Sequence, residues 1–232
     1  MKFENTEVWG FNHALRGMRN PMNSWNKSDS RSIYPATIDN KDNLTGCHYL
    51  IGANDMKLAQ QLIRSGSEHR KFMRQIFVSV DITAPLYWWK ECDQYKIGVT
   101  TNSCSTMHKL VTTPITLDCF ETDDYKPNTF VYYENTTVND VIDTNVGFIH
   151  FLETLRQHYL ETKDKGYWKE LIRWLPESWL QKRTITMSYE NLYTVVHQRK
   201  NHKLSEWSVS FMNWVRTLPY AQELIFINKT EE

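Results

Sequence analysis

The sequence has little of what usually reveals a function in a short motif. Its 8 glycines are scattered over 232 residues. None falls into a GxGxxG or GxxxxGK run, which excludes the glycine-rich loops that cradle phosphates at a helix N-terminus. No HExxH and no GxSxG occurs, and the histidines are dispersed, so no metal site is expected from spacing. Net charge is also missing, with 27 Lys+Arg against 27 Asp+Glu. No general field draws the chain to nucleic acid or to an anionic membrane, and neither partner is expected. A local basic pocket for a small anion needs no basic protein. Cysteine is sparse: Cys47, Cys92, Cys104 and Cys119 form no CxxC pair and no zinc-type spacing. They read as reduced thiols of an intracellular protein. No apolar run approaches the ~20 residues that cross a bilayer. The opening MKFENTEVWG lacks the basic and apolar regions of a signal peptide. A cytoplasmic location is expected.

Aromatics are plentiful at 13%, with 9 Trp and 12 Tyr. The usual fate of such side chains is a filled core, and Trp88 and Trp89 are expected there. Apolar spacing predicts a helix from Asn54 to Ser65, with Gly66 as its cap. Residues Ile76 to Ile82 alternate and are β-branched, which predicts a half-buried strand ended by Ala84-Pro85. Leu86 to Gln94 reads as helix and Gly98 to Ser105 as a polar loop. Helices are expected over Val138 to Thr162, Tyr167 to Leu175 and Ser205 to Leu218. Thr184 to Val196 carries both strand and helix signals, and Asn20 to Asn43 reads as a long surface loop. Strands and helices without a βαβ repeat predict an α+β domain. No linker or internal repeat divides the chain, so a single domain over 1–232 is expected.

The order of the larger segments says more than any motif. Residues 8–21 read VWGFNHALRGMRNP, with Arg16 and Arg19 three apart on one helical face. Residues 62–77 read LIRSGSEHRKFMRQIF; after the strand comes TAPLYWWKECDQYKIGVTTNSCSTMHKL. WLP follows at 174–176 and NLYTVVHQRKNHKLSEW at 191–207. In order, spacing and hydrophobic pattern, from about Val8 to Val215, these segments resemble the flavin-dependent thymidylate synthases. That family has an early Arg-x-x-Arg helix, a His-Gly-His-Glu-like turn and a strand ending in Ala-Pro. An Arg-His-Arg run with a following Ser-x-Arg comes next, then Leu-Pro and Asn-Leu-Arg.

The resemblance implies a fold with a central antiparallel or mixed sheet and flanking helices. Carried over by position, Arg16, Arg19, Ser103, Ser105, Arg173 and Arg199 would contact the nucleotide. Glu68, His69, Gln94, Tyr95, Lys96, His197 and Gln198 would fall around the cofactor, FAD. NADPH and methylenetetrahydrofolate would be co-substrates, a pyrimidine deoxynucleotide the acceptor, and a homotetramer the assembly. The departures are as informative. Gln94, Tyr95 and Lys96 stand in place of Arg-His-Arg, Met107 replaces a further Arg, and Ser205 stands where a Gln is usual. Each charge-assisted contact is worth about 1.5–3 kcal/mol, so their uncompensated loss would abolish ordinary activity. No catalytic group is singled out, and Cys104 reads as a loop thiol between Ser103 and Ser105. His197 fits a ligand contact and a structural histidine equally. Three readings stay open: altered C5 chemistry such as hydroxymethyl transfer, a drifted thymidylate synthase, or a flavin-free nucleotide-binding or interaction protein.

Overall fold

The structure is a computed structural model that describes residues 1–33, 49–123, 126, 131–133 and 141–228. The chain divides into two compact units. One comprises Met1, Thr83–Glu91 and Ser103–Arg183; the other comprises Lys2–Ile82, Cys92–Asn102 and Thr184–Glu232.

The second unit holds β1 (Lys2–Trp9), α1 (Phe11–Met18), the short antiparallel pair β2 (Arg31–Ser32) and β3 (Tyr49–Leu50), and α2 (Ala53–Arg64). A 3₁₀ segment, Arg70–Gln75, leads into β4 (Phe77–Pro85). Along β4 buried and half-buried residues alternate, with Val78, Val80 and Ile82 inward, as its period-2 pattern dictates. The chain then runs through α3 (Leu86–Cys92) to β5 (Thr100–Ser103) and α4 (Thr106–Lys109). In the first unit come the antiparallel pair β6 (Val131–Tyr133) and β7 (Val141–Asp143), then α5 (Thr144–Thr162) and α6 (Lys165–Arg173). The chain returns through β8 (Leu180–Ser188) to α7 (Tyr189–Arg199), a π-helical segment Glu206–Phe211, α8 (Met212–Arg216) and α9 (Ala221–Leu224).

One sheet has the order β1-β4-β8-β5. Asp81 on β4 ties its neighbours, accepting from Asn5 Nδ2 at 2.9 Å and from Thr184 Oγ1 at 2.6 Å. Against the expected elements there are four differences. Lys2–Trp9 is a strand, and Gly98–Ser105 contributes β5 rather than loop alone, because edge pairing supplies what propensity lacks. The helix placed over Val138 to Thr162 starts at Thr144, after β7, and residues 138–140 lie outside the described residues. The loop placed over Asn20 to Asn43 contains 3₁₀ turns at Asn20–Met22 and Trp25–Lys27, with residues 34–43 outside the description. Thr184 to Val196 is both things it signalled: strand to Ser188, helix after it.

In the first unit Leu110, Ile115, Phe120, Leu152 and Leu171 form a buried cluster. Trp88 and Trp89 are buried there as well. Arg156, itself buried, gives Glu153 two hydrogen bonds, Nε to Oε2 at 2.7 Å and Nη2 to Oε1 at 2.6 Å. Ile115 N and Gln157 Nε2 add further bonds to the same carboxylate. The Arg156 bond is the main cause that brings the Glu153 carboxyl from 4.5 down to about 2. A depressed carboxylate stabilises the fold above its unfolded value and ceases to as pH falls through its folded value. Glu153→Gln is therefore expected to cost about 2 kcal/mol at pH 7, after a discount for partial exposure. Denaturant titrations should show that difference shrinking between pH 4.5 and about 2.

Candidate functional site

The second unit carries two clefts, and the turn from β8 to α7 builds the first. Ser188 ends the strand and caps the helix: its Oγ accepts from Asn191 N at 3.2 Å, and its N–H donates to Asn191 Oδ1 at 3.0 Å. Asn191 Nδ2 then donates to Ile97 O at 2.9 Å and tethers the segment after α3 to the start of α7. The chain turns at Gly98 with φ 72°, a left-handed value that suits glycine. The result is an open cleft of about 670 Å³, within the ~300–1,000 Å³ of ligand sites. Phe77, Tyr95 and Ile97 give it an apolar and aromatic side; Gln94, Asn191 and Thr194 add polar groups. Ile97 is 86% exposed, an apolar side chain standing in solvent at the rim.

Tyr95 joins two segments about a hundred residues apart. Its Oη donates to Gln198 Oε1 at 3.0 Å and accepts from Arg199 Nε at 2.8 Å. The Arg199 guanidinium lies 5.5 Å from the Tyr95 ring centre and 5.2 Å from that of buried Trp207. These cation–π contacts hold the charge among rings. Arg199 borders neither cleft.

The second cleft, about 550 Å³, is bordered by Arg70, Tyr193, His197, Gln198, Lys200 and Asn228, and by Thr194, which also borders the first. His197 packs on Tyr193 with ring centres 4.1 Å apart, and its Nδ1 is 2.8 Å from Tyr193 O. A carbonyl can only accept, so Nδ1 carries the hydrogen and Nε2 is the free ring position. Tyr193 is buried; burial pushes its phenol up, and the nearby Arg70 acts the other way. Its Oη has no hydrogen-bond partner among the described residues.

The 3₁₀ segment packs against α7 and brings two arginines to one carboxylate. Arg74 is hydrogen-bonded through Nε to Glu190 Oε2, and its Nη2 lies 3.4 Å from Oε1. Arg70 Nε is 3.3 Å from Glu190 Oε1, close enough for an ion pair but without hydrogen-bond geometry. The bond to Glu190 holds the Arg74 guanidinium above its ordinary value.

The sequence-predicted residues are distributed unevenly around these clefts. Gln94 and Tyr95 border the first, His197 and Gln198 the second. Lys96, Glu68 and His69 are exposed and border neither. Arg16 is exposed on α1, its Nη2 3.5 Å from His13 Nδ1. Arg19 is buried and bonded through Nε to Asp55 Oδ1 at 2.5 Å. Ser103, Ser105 and Arg173 belong to the first unit. There Ser103 is exposed at the end of β5, Ser105 O accepts from Lys109 N at 3.1 Å, and Arg173 pairs with Glu170 at the end of α6. Cys92, Cys104 and Cys119 form no disulfide among the described residues, and Cys47 lies outside them.

Compared by sequence, the chain matches no family model and no curated protein. Compared by structure, it is similar to the flavin-dependent thymidylate synthase ThyX of Helicobacter pylori complexed with FAD and dUMP. That similarity has a TM-score of 0.66 at 17% identity and covers 100% of both chains. A second structure of the same enzyme with FAD and dUMP gives 0.65 at 15% identity over 100% of both chains. A UMP/dUMP methylase, PolB of Streptomyces cacaoi, bound with 5-Br UMP, gives 0.59 at 12%, covering 97% of this chain and 93% of that one. The fold is that of the flavin-dependent thymidylate synthases.

On that fold the sequence reading missed Arg70, Arg74, Glu190 and Tyr193. Arg70 and Arg74 sit four apart in a 3₁₀ segment, where a helical wheel does not place them on one face. Glu190 reads as an ordinary first-turn acid of α7. Only the packing of the segment on α7 makes the three a cluster, and no local pattern signals it.

Proposed function

We propose that this protein binds a pyrimidine nucleotide and modifies the C5 carbon of its base, transferring a one-carbon unit as methyl or hydroxymethyl. The observation that carries the reading is the thymidylate synthase fold with two clefts that meet at Thr194. One has an aromatic and apolar side suited to a planar ring. The other has Arg70 and Lys200, suited to a phosphate. The structures it is similar to hold dUMP or 5-Br UMP.

A flavin fits the first cleft by its ring. Phe77, Tyr95 and Ile97 offer stacking and apolar contact, while Gln94 and Asn191 offer hydrogen bonds at the ring edge. Arg74, paired with Glu190, is the one Lys or Arg among the described residues bordering that cleft. The flavin would supply reducing equivalents, with NADPH as their source and methylenetetrahydrofolate as carbon donor. The chain's own part is to hold the base edge, seat the phosphate and exclude water. The fold relation also supports a homotetramer, because family members build each site from several subunits. Light scattering of the purified protein should then give four chains, and a monomer counts against a family-like site.

A second reading, a nucleotide-binding or interaction protein without flavin, is favoured by Arg199. Its guanidinium is drawn onto Tyr95 and Trp207 instead of bordering either cleft. The absorption spectrum separates the two. The enzyme reading expects a flavin band that bleaches with NADPH, then a mass increase in UMP, dUMP or dCMP. A colourless protein with no thermal stabilisation by FAD sinks it. Stabilisation by nucleotides alone would leave the second.

A further inference from the structure

We propose that Arg70 and Arg74 form a phosphate-binding pair in this protein and that the Glu190 carboxylate occupies it until a phosphate displaces it. The geometry points to an anion site on three counts. Two guanidiniums from adjacent turns of one 3₁₀ segment converge on a single carboxylate, the arrangement a phosphate would otherwise satisfy. The contacts are unequal. Arg74 is bonded to Glu190, whereas Arg70 Nε is buried, in ion-pair range at 3.3 Å, and makes no hydrogen bond among the described residues. A buried donor without an acceptor is costly, so an oxygen that reached it would be held. Finally, the Arg70 guanidinium lies over the Tyr193 ring, 4.5 Å from its centre, and the phenol oxygen of that ring is likewise buried and without a hydrogen-bond partner among the described residues.

The pair opens to ligand on both sides. Arg74 and Glu190 border the first cleft; Arg70 and Tyr193 border the second, with Lys200 as a further cation. The side chain of Arg74 is 58% exposed, so its half of the ion pair is weak and exchangeable in water. A phosphate monoester has more oxygens and more charge than one carboxylate. It can take both arginines at once, while Glu190 swings to solvent. The ligand class is therefore a phosphate monoester or inorganic phosphate, and the site gives a nucleotide a second anchor besides the ring cleft. In that last respect the inference rests on the proposed nucleotide reading, although phosphate binding by itself does not.

The test uses the full chain, inorganic phosphate followed by ³¹P NMR titration, and UMP followed by calorimetry. Glu190→Gln removes the competing charge and is expected to tighten phosphate binding by about tenfold. Arg74→Ala, at an exposed position that folding tolerates, is expected to weaken it by about tenfold. Glu190→Gln that binds phosphate no better, or Arg74→Ala that binds it equally well, overturns the proposal. If UMP binds while phosphate binding is insensitive to both substitutions, the phosphate pair is wrong and the nucleotide reading survives. If phosphate follows both substitutions while UMP and dUMP do not bind at all, the pair is right and the nucleotide reading falls.

Discussion

Replacing Asp55 with alanine is expected to lower the stability of the protein by about 3–5 kcal/mol, the scale for removing one partner of a buried ion pair. Asp55 has no exposed side-chain surface and accepts from Arg19 Nε at 2.5 Å, Ser28 Oγ at 2.6 Å, and Ser30 N and Oγ at 3.2 and 2.5 Å. Without it, the guanidinium of Arg19 stays buried with its charge unmatched. Burial alone would raise the Asp55 carboxyl, but the bonds from Ser28, Ser30 and Arg19 outweigh it and hold the group below its ordinary value. The sign follows from that direction. The contribution is complete above the unfolded carboxylate value and is lost as pH falls through the lower folded value. Urea unfolding of wild type and Asp55→Ala at pH 7 checks the magnitude. An unchanged midpoint would show that Arg19 finds water, and that the pair is ornamental to the fold.

Gly10→Ala is expected to cost at least about 2–3 kcal/mol, through strain and a collision with main chain. Gly10 sits between β1 and α1 at φ 97°, where only glycine is unstrained. A Cβ there would come 2.0 Å from the carbonyl oxygen of Gln75, which is backbone and cannot rotate away. Gln75 closes the 3₁₀ segment that carries Arg70 and Arg74. The same substitution should therefore disturb ligand binding as well as thermal stability. Thermal unfolding measured alongside phosphate titration reads both effects. A variant with wild-type melting temperature would mean the corner yields without strain.

These two positions also show what could be foreseen. Arg19 was visible as half of an Arg-x-x-Arg pair, and that spacing suits an exposed basic face. Its burial depends on Asp55 arriving from α2, 36 residues on, and no local pattern encodes that meeting. Gly10 carried no signal at all, because its role depends on how closely Gln75 passes.

The site was legible in a similar proportion. Gln94 and Tyr95, named from the position of a rewritten motif, do border a cleft, and His197 and Gln198 border its neighbour. Arg199, which the resemblance places at the nucleotide, lies 5–6 Å from the ring centres of Tyr95 and Trp207, an aromatic pair that competes with solvent for a guanidinium. Arg70, Arg74 and Glu190 carry no local pattern that sets them apart, because only the packing of the 3₁₀ segment on α7 brings them together.

By itself the sequence determined the kind of protein: mixed helix and sheet, neutral, rich in core aromatics, with segments in the order of the flavin-dependent thymidylate synthases. Periodicity and capping residues act over a few neighbours, and so β4, α2 and the β8–α7 turn could be read from their own residues. Tertiary structure alone decided which charges meet. Ion pairs and cation–π contacts are set by distances of a few ångströms between residues far apart in the chain. Spacing along the sequence holds no record of such distances.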